Sequence, residues 1–129
     1  MEQIVNVSWL AVIVGLVLSM GLGFLWFDPK RGPGKIWAEG NGVSLDPPEN
    51  FPAFEMITNT LGLFLVSWFV GAMFAAGLMT LAYMAVIAFA ILMSAGAMFA
   101  GANRAAATVS VGYWFISFIL MVLSQSILG

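Results

Sequence analysis

Glu55, Thr58 and Asn59 fall at i, i+3 and i+4 of the segment EMITN. On a helix this spacing puts their polar groups on one side. Asp28, Asn103 and Arg104 come from other segments but at a similar depth, so Asp28, Glu55, Asn59, Asn103 and Arg104 are read as one polar cluster. Two chemistries fit it. Arg104 can pair with Glu55 or Asp28 and lock helix ends together, or it can centre a site for a lipid headgroup or a small anion. Among the other polar groups of the long apolar runs are Ser19, Ser67, Ser94, Ser117, Ser124 and Gln125. Such serines are ordinarily satisfied by their own helix carbonyls or by a neighbouring helix.

The stretch WFDPKRGPGKIWAEG, residues 26–40, raises the question of a phosphate loop. Its spacing rejects that reading. A Walker loop needs a glycine five residues before its Gly-Lys pair and a Ser or Thr after it. Pro29 and Ile36 occupy those positions. Three basic residues without a stacking platform also make a weak nucleic-acid signal. Lys30, Arg31, Lys35 and Trp37 are read instead as contacts for anionic headgroups and as the topology signal. Ile36 and Trp37 are expected to dip back into the interface.

The chain has no histidine and no cysteine. Disulfides, thiol nucleophiles, zinc sites and the commonest general base are thereby unavailable. No charged residue lies inside an apolar run, so proton-coupled transport has no obvious carrier and a serine nucleophile has no base. The expectation is a protein that is not an enzyme, with no catalytic, cofactor-binding or metal-ligating residues. Lipid, quinone or pigment tails can still lie in grooves beside Phe, Trp and Met.

The elements that place these residues follow from composition. The 129 residues are 62% hydrophobic and 8% charged, against about 45–50% apolar and about 25% charged in a soluble domain. A soluble fold of this size has too little interior to hide so much apolar surface, and lipid is its natural solvent. The net charge of -2 gives no basic stripe for nucleic acid. The start, MEQIVNVSWL, lacks a positive n-region, so the first apolar run is expected to stay in the mature protein.

A crossing helix takes about 20 apolar residues. The apolar runs accommodate four: about 4–27, 52–76, 81–100 and 105–128, with Glu55 at the start of the second as their one charge. The second and third come from one long run, broken near Gly77 to Thr80. Pro52 fits a first helical turn, with Glu55 close to the positive end of the helix dipole. GANR, residues 101–104, separates the last two spans. The expected fold is therefore an all-α integral membrane domain over 1–129. It is an antiparallel bundle of four helices with a loop over about 28–51.

Four spans place both termini and the loop between spans two and three on one side, which has no lysine or arginine. Lys30, Arg31, Lys35 and Arg104 are all on the other. The positive-inside rule makes that second side cytoplasmic and puts both termini outside. Helices in lipid associate through close packing at small residues. Gly15, Ser19 and Gly23 form one i+4 stripe, and Ser67, Gly71 and Ala75 another. Ala88, Gly96 and Ala100 form a third, interrupted by Leu92. These stripes serve internal packing or, for that of span one in particular, docking on another protein.

The segment VSWLAVIVGLVLSMGLGFLWF, followed by DP and GKIW, resembles the bacterial membrane family catalogued as domain of unknown function 1761. The matching positions are Ser8, Trp9, Leu10 and Ala11, then Phe27, Asp28 and Pro29, then Gly34, Lys35 and Trp37. The final helix matches through Gly112, Tyr113, Trp114, Ser117, Met121, Ile127 and Leu128, and Asn103 and Arg104 fall at a short polar loop. The resemblance implies four spans and no assigned activity. Lys30, Arg31, Gly32 and Pro33 depart from the family's apolar pattern by charge and by one extra residue, so the loop is expected to take its own shape.

Two functions follow as expectations. One is an accessory or structural subunit of the bacterial inner membrane, packed against a larger respiratory or photosynthetic complex. The other is a small transporter or channel for a small solute, built by self-association. The expected partners are membrane lipids and other membrane protein subunits or further copies of the chain, not nucleic acid.

Overall fold

The computed structural model describes residues 5–28, 32–42 and 52–129. Four long helices dominate it: α1 (Trp9–Trp26), α3 (Ala53–Ala75), α4 (Met79–Phe99) and α5 (Arg104–Leu128). They have 18 to 25 residues, about 27–38 Å at a rise of 1.5 Å per residue. That matches a hydrocarbon core about 30 Å thick. All four are long and apolar enough to cross a membrane. A shorter helix, α2 (Gly32–Asn41), lies between α1 and α3.

The helix ends are set by local chemistry. Ser8 caps α1, its side chain accepting from the Ala11 amide, and Asn103 caps α5 by accepting from the Ala106 amide. Both α3 and α4 end on a left-handed glycine, Gly77 at φ +72° and Gly101 at φ +113°. After each glycine the chain closes the same pair of bonds. The Gly77 and Leu78 amides reach back to the Phe74 and Met73 carbonyls, and the Gly101 and Ala102 amides to those of Met98 and Ala97. This pattern satisfies helix-end carbonyls that would otherwise sit unpaired in an apolar medium. The break expected near Gly77 to Thr80 is there, but it is tighter, and Thr80 already belongs to α4.

Helix α2 corrects the reading of 28–51 as a connecting loop. Glycines and prolines in GPGKIWAEGN look like turn punctuation. Pro33 instead occupies the first turn, where no amide is needed. Gly34 and Ala38 lie one turn apart and are buried. A Cβ on Gly34 would run into the Asp28 backbone, and one on Gly40 into Asn103 and Ala106. Close packing at glycine outweighs its poor helix propensity. Lys30 and Arg31, like Pro29, lie outside the described residues.

Helix α5 touches every other helix and packs most extensively against α1. The two run antiparallel and are pinned along their length. Ser8 Oγ donates to the Leu128 carbonyl at 3.0 Å, Tyr113 Oη to the Ser19 carbonyl at 2.9 Å, and Trp26 Nε1 to the Val109 carbonyl at 2.8 Å. Leu63, Val70, Ala82, Val86, Phe118 and Met121 form the apolar core between α3, α4 and α5. Helix α4 is held by one narrow edge, Ala82, Val86 and Ala90, and the large side chains on its other faces are exposed.

Candidate functional site

At the α2 end of the bundle, aromatic rings form a connected wall. Tyr113 is buried on α5. The Phe27 ring, just past the end of α1, sits 5.0 Å from it and 5.2 Å from the Trp37 ring of α2. Offset and edge-on ring pairs at this separation stabilise beyond their buried area. Gly23 allows the approach, since a Cβ there would lie 3.3 Å from Tyr113 Oη. The Trp26 bond to Val109 fixes the α1 end that delivers Phe27.

In front of this wall is a cavity of about 770 Å³ between α1, α2 and α3. Phe24, Phe27, Trp37 and Tyr113 line it, with Met20 and Met56 below and Asp28, Glu55 and Asn59 at its polar side. Glu55 and Asn59 stand one turn apart on the first turns of α3, which is why they reach the same space. A second groove of about 610 Å³ continues from Met20 and Met56 along α1 and α3 to Leu16, Leu61 and Phe64. It is almost wholly apolar and opens to the outside past Ile57 and Leu61, both exposed. Polar head and apolar groove together make an amphipathic site, and each part by itself has a size ordinary for a small-molecule pocket, about 300–1,000 Å³. No three His, Cys, Asp or Glu side chains converge among the described residues.

The residues singled out from sequence separate into three groups. Asp28, Glu55 and Asn59 come together at the cavity, whereas Asn103 and Arg104 do not line it. Asn103 caps α5 and Arg104 is exposed on its first turn. The five-residue polar cluster is thus divided, because α2 fills the space beside the start of α5. Trp37 lines the cavity, while Lys35 is exposed on α2.

The small-residue stripes of α1 and α3 face inward. Gly15 abuts Ser67, whose hydroxyl donates to the Val12 carbonyl at 2.7 Å. Gly71 accommodates Val12 and the Gln125 amide, and Ser19 is fully buried. Ala75, at the end of α3, is exposed. Helix α4 is different. Ala88, Gly96 and Ala100 are exposed, and among the described residues nothing lies within 4 Å of a Cβ built on Gly96. Ser19 Oγ, Ser124 Oγ and Gln125 Nε2 are buried without a partner among the described residues.

Tyr113, Trp26 and Phe27 carry the site's architecture but were not singled out for it by residue chemistry. A signal for Tyr113 exists: a tyrosine in mid-span needs a hydroxyl partner in a medium without water. The sequence does not say which carbonyl supplies it.

One family model matches residues 10–125, that of the protein of unknown function DUF1761. No curated protein matches the chain, and no solved structure does.

Proposed function

The chain belongs to the DUF1761 family of proteins of unknown function, and on that premise we propose that it is a non-catalytic accessory subunit of a larger membrane assembly in the bacterial inner membrane. The observation that carries this reading is the outer face of α4. Small residues on a membrane helix gain nothing against lipid, but they let a neighbouring helix approach closely. Within the chain the α1 stripe and Ser67 and Gly71 of α3 are used internally, whereas on α4 Ala88, Gly96 and Ala100 are open on either side of the exposed Leu92. Docking through span one is therefore replaced by docking through α4. Lys35 and Arg104 both lie at the α2 end, which the positive-inside rule assigns to the cytoplasm. Purification of the full chain in mild detergent, followed by mass spectrometry, tests the reading. Stable co-purification with a defined membrane complex, lost in Gly96→Leu, supports it. A homogeneous homo-oligomer contradicts it.

A second reading, a small oligomeric transporter, has its own support in the cavity and in Ser19 Oγ, Ser124 Oγ and Gln125 Nε2, buried without a partner among the described residues. Uptake of a small solute into liposomes holding only this chain would favour it over the first.

A further inference from the structure

We propose that the cavity at the α2 end is a binding site for a cationic amphiphile, with an ammonium head against the aromatic wall and an alkyl tail in the α1–α3 groove. The inference stands apart from the accessory-subunit reading, because it concerns a different face of the bundle. Three observations carry it.

The first is a carboxylate at the cavity. Glu55 lines it, and the Asn59 amide stands one turn from Glu55. The proposal rests on Glu55, which sits exposed at the mouth on the first turn of α3. A carboxylate at that place favours a cationic head over a phosphate or sulfate of similar size.

The second is the ring wall. Phe24, Phe27, Trp37 and Tyr113 surround the same space. The negative faces of aromatic rings attract ammonium groups within about 6 Å of their centroids, and clustered rings are the recurrent means of holding a quaternary ammonium. Tyr113 already donates its hydroxyl proton to the Ser19 carbonyl. It therefore presents a ring rather than a free donor.

The third is the continuity with the groove. Met20 and Met56 line both the cavity and the groove. A head held at the mouth can thus extend an unbranched tail past them towards Phe64 without leaving apolar surroundings. The flexible, polarisable methionines adapt to such a tail. A quinone or a pigment would use the groove but brings no ammonium to the carboxylate and the ring wall.

The test uses the full chain in neutral alkyl-maltoside micelles, with dodecyltrimethylammonium as the probe and tryptophan fluorescence as the readout. Saturable binding is expected. Dodecyl sulfate and dodecanol, matched in tail, should bind at least about tenfold more weakly, a difference of roughly 1.4 kcal/mol. Tetramethylammonium, which lacks the tail, should fail to saturate in the same range. Glu55→Gln and Trp37→Leu should each weaken the probe by about tenfold, the scale of a partly desolvated cation–π or carboxylate contact. Glu55 is exposed, so its amide variant keeps the fold. Displacement by lysophosphatidylcholine would identify a lipid headgroup as the natural source of the ammonium. Failure to displace would identify a phosphate-free amine. Equal binding of dodecyl sulfate, or probe affinity unchanged in both variants, would overturn the proposal.

Discussion

The Gly40 carbonyl accepts a 3.1 Å hydrogen bond from the Asn103 amide, and Asn103 in turn caps α5 through its side chain. One residue thereby fastens the last turn of α2 to the first turn of α5. Because α2 carries Trp37, this fastening also fixes the far wall of the cavity. Substituting Gly40 by leucine drives a side chain into Asn103 and Ala106. The expected result is undocking of α2, read as increased hydrogen exchange over Gly32–Asn41 and a red shift of Trp37 emission in a single-tryptophan background. Gly32→Ala, at an open position on the same helix, should leave both unchanged.

Gly15→Ala should weaken the α1–α3–α5 junction. The new methyl group would stand 2.8 Å from Ser67 Oγ and 3.4 Å from Met121, so Ser67 must turn away from the Val12 carbonyl. Interhelical hydrogen bonds in membranes are worth about 0.6 kcal/mol on average and at most about 1.7. With the packing loss, a destabilisation of about 1–2 kcal/mol is expected in a reversible unfolding titration in mixed micelles. Gly21→Ala, on the same helix with nothing within 4 Å, should be neutral or gain up to about 1 kcal/mol from helix propensity.

Tyr113→Phe and Tyr113→Ala should separate the two roles of that side chain. The first removes the hydroxyl, with its bond to the Ser19 carbonyl, and keeps the ring against Phe27 and Trp114. It should cost about 1 kcal/mol. The second removes the ring as well and should cost about 3–5 kcal/mol, the range for a large aromatic truncated in a packed core. The same unfolding titration distinguishes them.

The two interhelical turns make a paired prediction. Gly77 and Gly101 have positive φ, where a Cβ costs roughly 1–2 kcal/mol. Alanine at either should destabilise by about that amount although neither position has a neighbour within 4 Å. Equal stability of both variants in the unfolding titration would show that these turns relax.

How much of this was legible from sequence depends on the length scale of the cause. The four spans were, because about 20 apolar residues in a row have one physical use. Their ends at Gly77 and Asn103 were partly legible, since capping is local, whereas the first span was expected from about residue 4 and its helix begins only after the Ser8 cap. The Glu55–Asn59 pair was legible for the same reason: one helical turn joins them. Helix α2 was not. Its glycines read as punctuation until their neighbours, the Asp28 backbone and Asn103, are known to press against them. Nor was the division of the polar cluster, because Asn103 and Arg104 share a depth with Glu55 but not a direction. The inward use of Gly15 and Gly71 and the outward use of Gly96 depend on helix rotation, which small-residue spacing alone leaves open.

The most direct measurement of the central claim is photocrosslinking in native membranes from a benzoylphenylalanine placed at position 96 on α4, with position 62 on α3, equally open, as the reference. The accessory-subunit account predicts a discrete crosslink from position 96 to a different membrane protein, and none of comparable yield from position 62. Crosslinks from position 96 only to lipid, or only to further copies of this chain, would contradict it.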